Sequence, residues 1–244
     1  MAGLFDPSSI YLQLAQAGLL PQWAQQRPVT GADGSYNPDR NKMVAAAPSN
    51  SFNTGTLAHE TTHAAQFNLL YPAFNRIADK LKQGTDISQA ESQYYEAAKK
   101  LLDIQPFGRY SANEDRTNKA SFKRAVDAMY KSNTGDDSYK SYRTQPHELQ
   151  AFGVGNMTQG GMHGATKQEL IGSGYSPHLD PSFASEFDII MSLYGKLPPS
   201  LREEASVKRK EDIKANNKFY GEDKNDSYYR YENLNKDPFK SSIK

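Results

Sequence analysis

The sequence has no cysteine and a single tryptophan among its 244 residues. Without thiols there is no disulfide, no thiolate nucleophile and no cysteine-bound zinc or iron–sulfur site, so any transition metal must be held by histidine and carboxylate. The compartment stays open, since a cysteine-free chain suits reducing and oxidising surroundings equally. A dominant charge is missing as well. The 29 Lys and Arg stand against 28 Asp and Glu, a net charge of +1, which excludes a global field that would recruit nucleic acid, an anionic membrane or an acidic substrate. No apolar run approaches the roughly 20 residues that span a bilayer. The opening stretch MAGLFDPSSIYLQLAQAGLLPQW has no basic leader and is broken by Asp6, Pro7, Gln13 and Gln16, unlike a secretory signal. A soluble protein is expected, cytoplasmic or virion-associated, with no nucleic-acid partner and no membrane span. No Gly-rich phosphate loop is present, because the Gly-x-Gly stretches lack a flanking strand.

What is present is helical periodicity. The length suits one main core, and apolar spacing predicts an N-terminal helix over 9–19, stopped by Pro21, and further helices near 55–70, 72–83, 87–104, 116–131, 146–153, 181–195 and 199–216. Residues 28–53 are rich in turn formers and leave room for one short strand at Met43 and Val44. The glycine-rich stretch 154–180 reads as a loop beside something functional. The expected fold class is α+β, a predominantly helical domain with a minimal β-sheet. A charged C-terminal arm follows. The last 44 residues hold 11 Lys and Arg and 9 Asp and Glu, leaving 18 and 19 for the first 200, so the boundary is placed at Pro198 and Pro199. This gives a domain over 1–198 and an arm over 199–244.

The chemistry is concentrated in TLAHETTHAAQF, residues 56–67. On a helix, His59 and His63 lie one turn apart on the same face, so each can aim a ring nitrogen at one ion. Glu60 points about 100° away from His59, which suits it to hold a reacting water and take its proton as general base instead of ligating metal. Thr54 or Thr56 can cap this helix, Ala58, Ala64 and Ala65 allow close packing, Gln66 falls on the metal-facing side, and Pro72 is expected to end it. A catalytic zinc needs a third protein ligand and one open position. His147, Glu148, His163, His178 and Asp180 are the candidates. YRTQPHELQAF, residues 142–152, is the best place to look: Pro146 can open a helix, Glu148 then projects from its first turn, and Ala151 on the same face admits a neighbouring helix.

With HETTHAAQ and YRTQPHELQA in hand, the chain resembles the small glutamate-zincin metallopeptidase domains of bacterial and phage proteins. The resemblance covers roughly residues 35–155. It implies His59, His63 and Glu148 as ligands of a zinc ion, Glu60 as catalytic base, and a peptide or protein substrate lying along a short strand within YNPDRNKMV, near Met43. The 85 positions between His63 and Glu148 exceed the spacing of compact members, which implies an inserted helical pair. Tyr142 and Tyr175 are candidate oxyanion stabilisers, and Trp23 is expected to cover a core edge.

Three readings of function follow. The first is a zinc-dependent peptidase. The second is a structural or assembly protein, such as a virion component, that keeps the metal site as a staple or relic. The third is a metal-free binding module. For the arm, Phe219, Tyr220, Tyr228, Tyr229, Tyr231 and Phe239 among charges suggest docking onto other protein chains, in a homo-oligomer or a larger assembly. Truncation after Pro199 is then expected to spare the fold.

Overall fold

The computed structural model describes residues 7–25, 34–45, 54–102, 146–159 and 180–220. Among them the fold is α+β and predominantly helical, with one small three-stranded sheet. The helices are α1 (Pro7–Gln16), α2 (Thr54–Ala65), α3 (Tyr71–Lys82), α4 (Gln89–Leu102), α5 (Pro146–Gln159), α6 (Ser182–Gly195) and α7 (Pro199–Tyr220). The strands are β1 (Gln22–Gln25), β2 (Gly34–Asn37) and β3 (Lys42–Ala45). None of these helices is long and apolar enough to cross a membrane. The predicted helix over 116–131 lies outside the described residues.

The sheet is larger than the single strand expected. β3 is its centre, parallel to β1 and antiparallel to β2. The turn between β2 and β3 is built from its own sequence: Asn37 accepts the Arg40 N–H on its side-chain oxygen at 3.1 Å, and Asn41 takes the left-handed conformation with φ 49°, which Asn tolerates better than most residues. Trp23, Met43 and Tyr36 lie in register across the three strands and pack with Leu57 of α2. This row seats the sheet on the helix that carries the histidines. Trp23 therefore serves in a strand facing α2, and Met43, expected beside the substrate, is enclosed between two strands.

α1 ends earlier than predicted. Gly18 sits at φ 64°, with its N–H on Ala15 O at 2.9 Å and the Leu19 N–H on Leu14 O at 2.9 Å, so a left-handed glycine cap terminates the helix before Pro21 is reached. Pro72 likewise does not end α2. The chain runs from α2 through a π-helical turn, Gln66–Leu70, straight into α3, with Pro72 in the first turn of α3. A proline in an α-helix crowds the preceding turn and donates no hydrogen bond; the widened turn just ahead of it accommodates both defects.

α2 is buried along its whole length from Gly55 to Ala65, and its small side chains let α5 and the sheet approach it from two sides. α5 continues to Gln159, through residues read from sequence as loop. Gly153 is a contact point: a Cβ there would stand 2.8 Å from the Ala184 nitrogen of α6. Val154 and Asn156 are buried beside it. The core joins α1 to α7 through Leu14, Leu70, Ile77, Tyr94, Phe187 and Leu201, among others. α7 thus contributes to the body: Leu201 and Ala205 are buried in the core. Arg209 donates to Asn68 Oδ1 of the π turn at 2.9 Å and to the carbonyl of Pro38 in the β2–β3 turn. The arm aromatics Tyr228, Tyr229, Tyr231 and Phe239 lie outside the described residues.

Candidate metal centre

Two helices, distant in sequence, bring a cluster of buried polar residues together. α2 presents His59 and His63 on one face, as their four-residue spacing dictates, and α5 crosses that face with Glu148 in its first turn. The Nε2 atoms of the two histidines are 3.1 Å apart. Oε2 of Glu148 lies 3.3 Å from His59 Nε2 and 3.4 Å from His63 Nε2. The three atoms form a nearly equilateral triangle. A tetrahedral ion with ligands at about 2.0 to 2.2 Å spaces its donor atoms about 3.3 to 3.6 Å apart, so the triangle has the dimensions of one face of such a site. These residues form the His/Asp/Glu group able to hold a metal ion among the described residues. Oε2 of Glu148 is buried with the two imidazole nitrogens as its near neighbours, a placement that suits an atom facing a cation.

Electrostatics couples the three. Burial disfavours a charge on His63, but Glu148 outweighs it and lifts the imidazole to about 9. Burial raises Glu148 in turn, and the neighbouring imidazoles overcome that and hold its carboxyl well below the usual range. Glu60, next along α2, is moved upward by burial, with His59 and His63 opposing. It lies under the sheet edge: a Cβ on Gly34 of β2 would stand 2.8 Å from Glu60 Oε1, so only glycine lets the strand come this close.

The outer layer is built around Gln66, fully buried at the start of the π turn. Its Oε1 faces His63 Nδ1 at 2.9 Å, while its Nε2 donates to the carbonyl of His147 at 3.1 Å and to Gln150 Oε1 at 2.9 Å. The ring of Phe152 meets that of His59 edge-on, with centroids 4.6 Å apart.

Of the third-ligand candidates among the described residues, Glu148 is the one grouped with both histidines. His147 is buried next to Glu148 but lies on the far side of the carboxylate, its Nε2 3.6 Å from Oε1. Burial pushes its imidazole down to about 4. Asp180 lies just ahead of α6 and accepts the Ser182 N–H at 2.9 Å. His163, His178, Tyr142 and Tyr175 lie outside the described residues. Gln150, Phe152 and Gly34 were not singled out in the sequence, and the only available signal was their closeness along the chain to Glu148 or to the turn YNPDRN. The arrangement can bind a divalent cation through two neutral imidazoles and a carboxylate, with a second carboxylate, Glu60, alongside. No family model, no curated protein and no solved structure matches this chain.

Proposed function

We propose that the chain is a zinc-dependent metallopeptidase in which His59, His63 and Glu148 hold the ion and Glu60 is the general base. The observation that carries this reading is the triangle of donor atoms at 3.1, 3.3 and 3.4 Å, assembled from two helices with a non-ligating glutamate directly after the first histidine. The resemblance of HETTHAAQ and YRTQPHELQA to glutamate zincins supports it. Zinc bound there would supply Lewis acidity, polarising a scissile carbonyl and acidifying a water. The remaining work falls to the protein. Glu60 takes a proton from the attacking water on a carboxylate oxygen and returns it to the leaving amine nitrogen. A peptide substrate lies along the edge strand β2, whose Gly34 brings backbone up to Glu60, and not along the enclosed strand β3.

The experiment is metal analysis of purified protein together with hydrolysis of a peptide panel before and after chelation. About one zinc per chain is expected, lost largely in His59→Ala, His63→Ala and Glu148→Ala but kept in His147→Ala, because a site stripped of one of three ligands rarely retains its ion. Glu60→Gln should keep zinc and lose at least about 100-fold in rate, the scale of a missing general base. Zinc-free wild-type protein would sink the proposal. A second reading, a structural or assembly component such as a virion protein with zinc as a staple, is favoured by burial: His59, Glu60, His63 and Glu148 are only 5, 6, 7 and 4% exposed. Zinc binding without hydrolysis of any peptide would select it.

A further inference from the structure

Gln66 does more than fill space beside the ligands. Its primary amide has one accepting end and one donating end, and which end faces His63 decides which imidazole nitrogen carries the proton. The carbonyl of His147 settles the orientation, since a backbone oxygen can only accept. Gln66 Nε2 must therefore point at that carbonyl, 3.1 Å away, and at Gln150 Oε1 at 2.9 Å. Oε1 is then turned to His63 Nδ1 at 2.9 Å and can only accept, so Nδ1 must donate. Nε2, the atom in the donor triangle, is left with its lone pair. The competing arrangement is close at hand: Glu148 Oε2 lies 3.4 Å from His63 Nε2 and would draw the proton of a neutral imidazole there, blocking the metal-facing nitrogen.

From this geometry we infer that Gln66 is a positioning residue that locks neutral His63 in its Nδ1–H form and, through the same amide, ties the start of α5 to α2. One side chain thereby sets the ligating nitrogen of His63 and the placement of Glu148. The inference rests on the metal-site reading for its purpose, but the lock can be measured without metal.

Long-range proton–nitrogen correlation spectra of the histidine side chains read the tautomer in the metal-free protein, at a pH where the imidazoles are neutral. His63 in the wild type is expected to carry its proton on Nδ1. Gln66→Met, of similar length and without hydrogen-bonding ends, should move it toward Nε2 and weaken zinc binding about 10 to 100-fold, the range for loss of a ligand's hydrogen-bond partner. Gln66→Glu, which still accepts from Nδ1, should restore the wild-type tautomer. A wild-type His63 protonated on Nε2 overturns the inference, whether or not the variants fold. So does a folded Gln66→Met protein whose tautomer or zinc affinity is unchanged. If the wild type takes up no zinc, the proposed function fails while the tautomer spectrum still decides the lock.

Discussion

At the scale of residues, His63 and Glu148 form a charged pair in the metal-free protein near neutral pH, because His63 is lifted to about 9 and Glu148 is held well below the usual carboxylate range. A metal ion can take the Nε2 lone pair of His63 only by displacing the proton of that pair. Zinc binding near neutral pH should therefore release about one proton per ion, and affinity should fall as pH is lowered. Calorimetric titration in buffers of different ionisation enthalpy measures the release; an apparent enthalpy independent of the buffer would contradict it. His59, Glu60, His63 and Glu148 could be picked out from sequence because helical spacing and a helix-start pattern are local signals. The role of Gln66 could not, since its partners on α5 are 81 and 84 residues away. Nor does spacing tell that Gly34 must lack a side chain.

Among the elements, the junction of α3 and α4 shows how a local rule becomes a tertiary one. Ser88 and Glu91 form a reciprocal cap: the Ser88 N–H donates to Glu91 Oε2 at 2.7 Å and the Glu91 N–H to Ser88 Oγ at 3.3 Å. Lys80 of α3 adds its ammonium to Glu91 Oε1 at 2.7 Å. Burial works against the ionised carboxylate, but Lys80 and Ser88 prevail and the pKa of Glu91 is lowered from its ordinary 4.5. A depressed folded-state pKa stabilises the protein above the unfolded value and stops doing so as pH falls through the folded one. Glu91→Ala should thus lose about 1 to 2 kcal/mol at neutral pH, and its deficit relative to wild type should shrink in acid. Chemical denaturation across that range checks the sign, and a deficit that grew in acid would refute it. Helices with strong apolar spacing, such as α6, were legible in the sequence. β1 and β2 were not, because four residues such as QWAQ or GSYN are too short to display an alternating pattern. The second half of α5 was not legible either, because its glycine content looks like loop composition, whereas at the edge of that stretch Gly153 marks the close approach of α6.

For the whole molecule, α7 decides how the C-terminal region is understood. Its high charge reads as a detached arm, yet Leu201 is 2% and Ala205 4% exposed, and Arg209 is bonded to Asn68 and Pro38. Asn68 in turn donates to Asn41 Oδ1 at 2.7 Å and to Leu19 O at 3.2 Å, so α7 closes onto the β2–β3 turn and the π turn together. Truncation after Pro199 should lower the melting temperature by several degrees or abolish cooperative unfolding, contrary to the outcome suggested by composition alone. A truncated chain melting like the full one would show that α7 adds nothing to the body. The same closure has a consequence in time. Arg209 lies 141 residues after Asn68 and 171 after Pro38, and translation proceeds at about 5 to 20 residues per second. His63 is therefore synthesised seconds before Glu148, which comes 85 residues later, and the delay is longer still before α7 joins the core that holds Leu70 and Ile77. During that interval the nascent chain carries two of the three candidate ligands without the third, so metal uptake by the proposed site would follow the synthesis of Glu148.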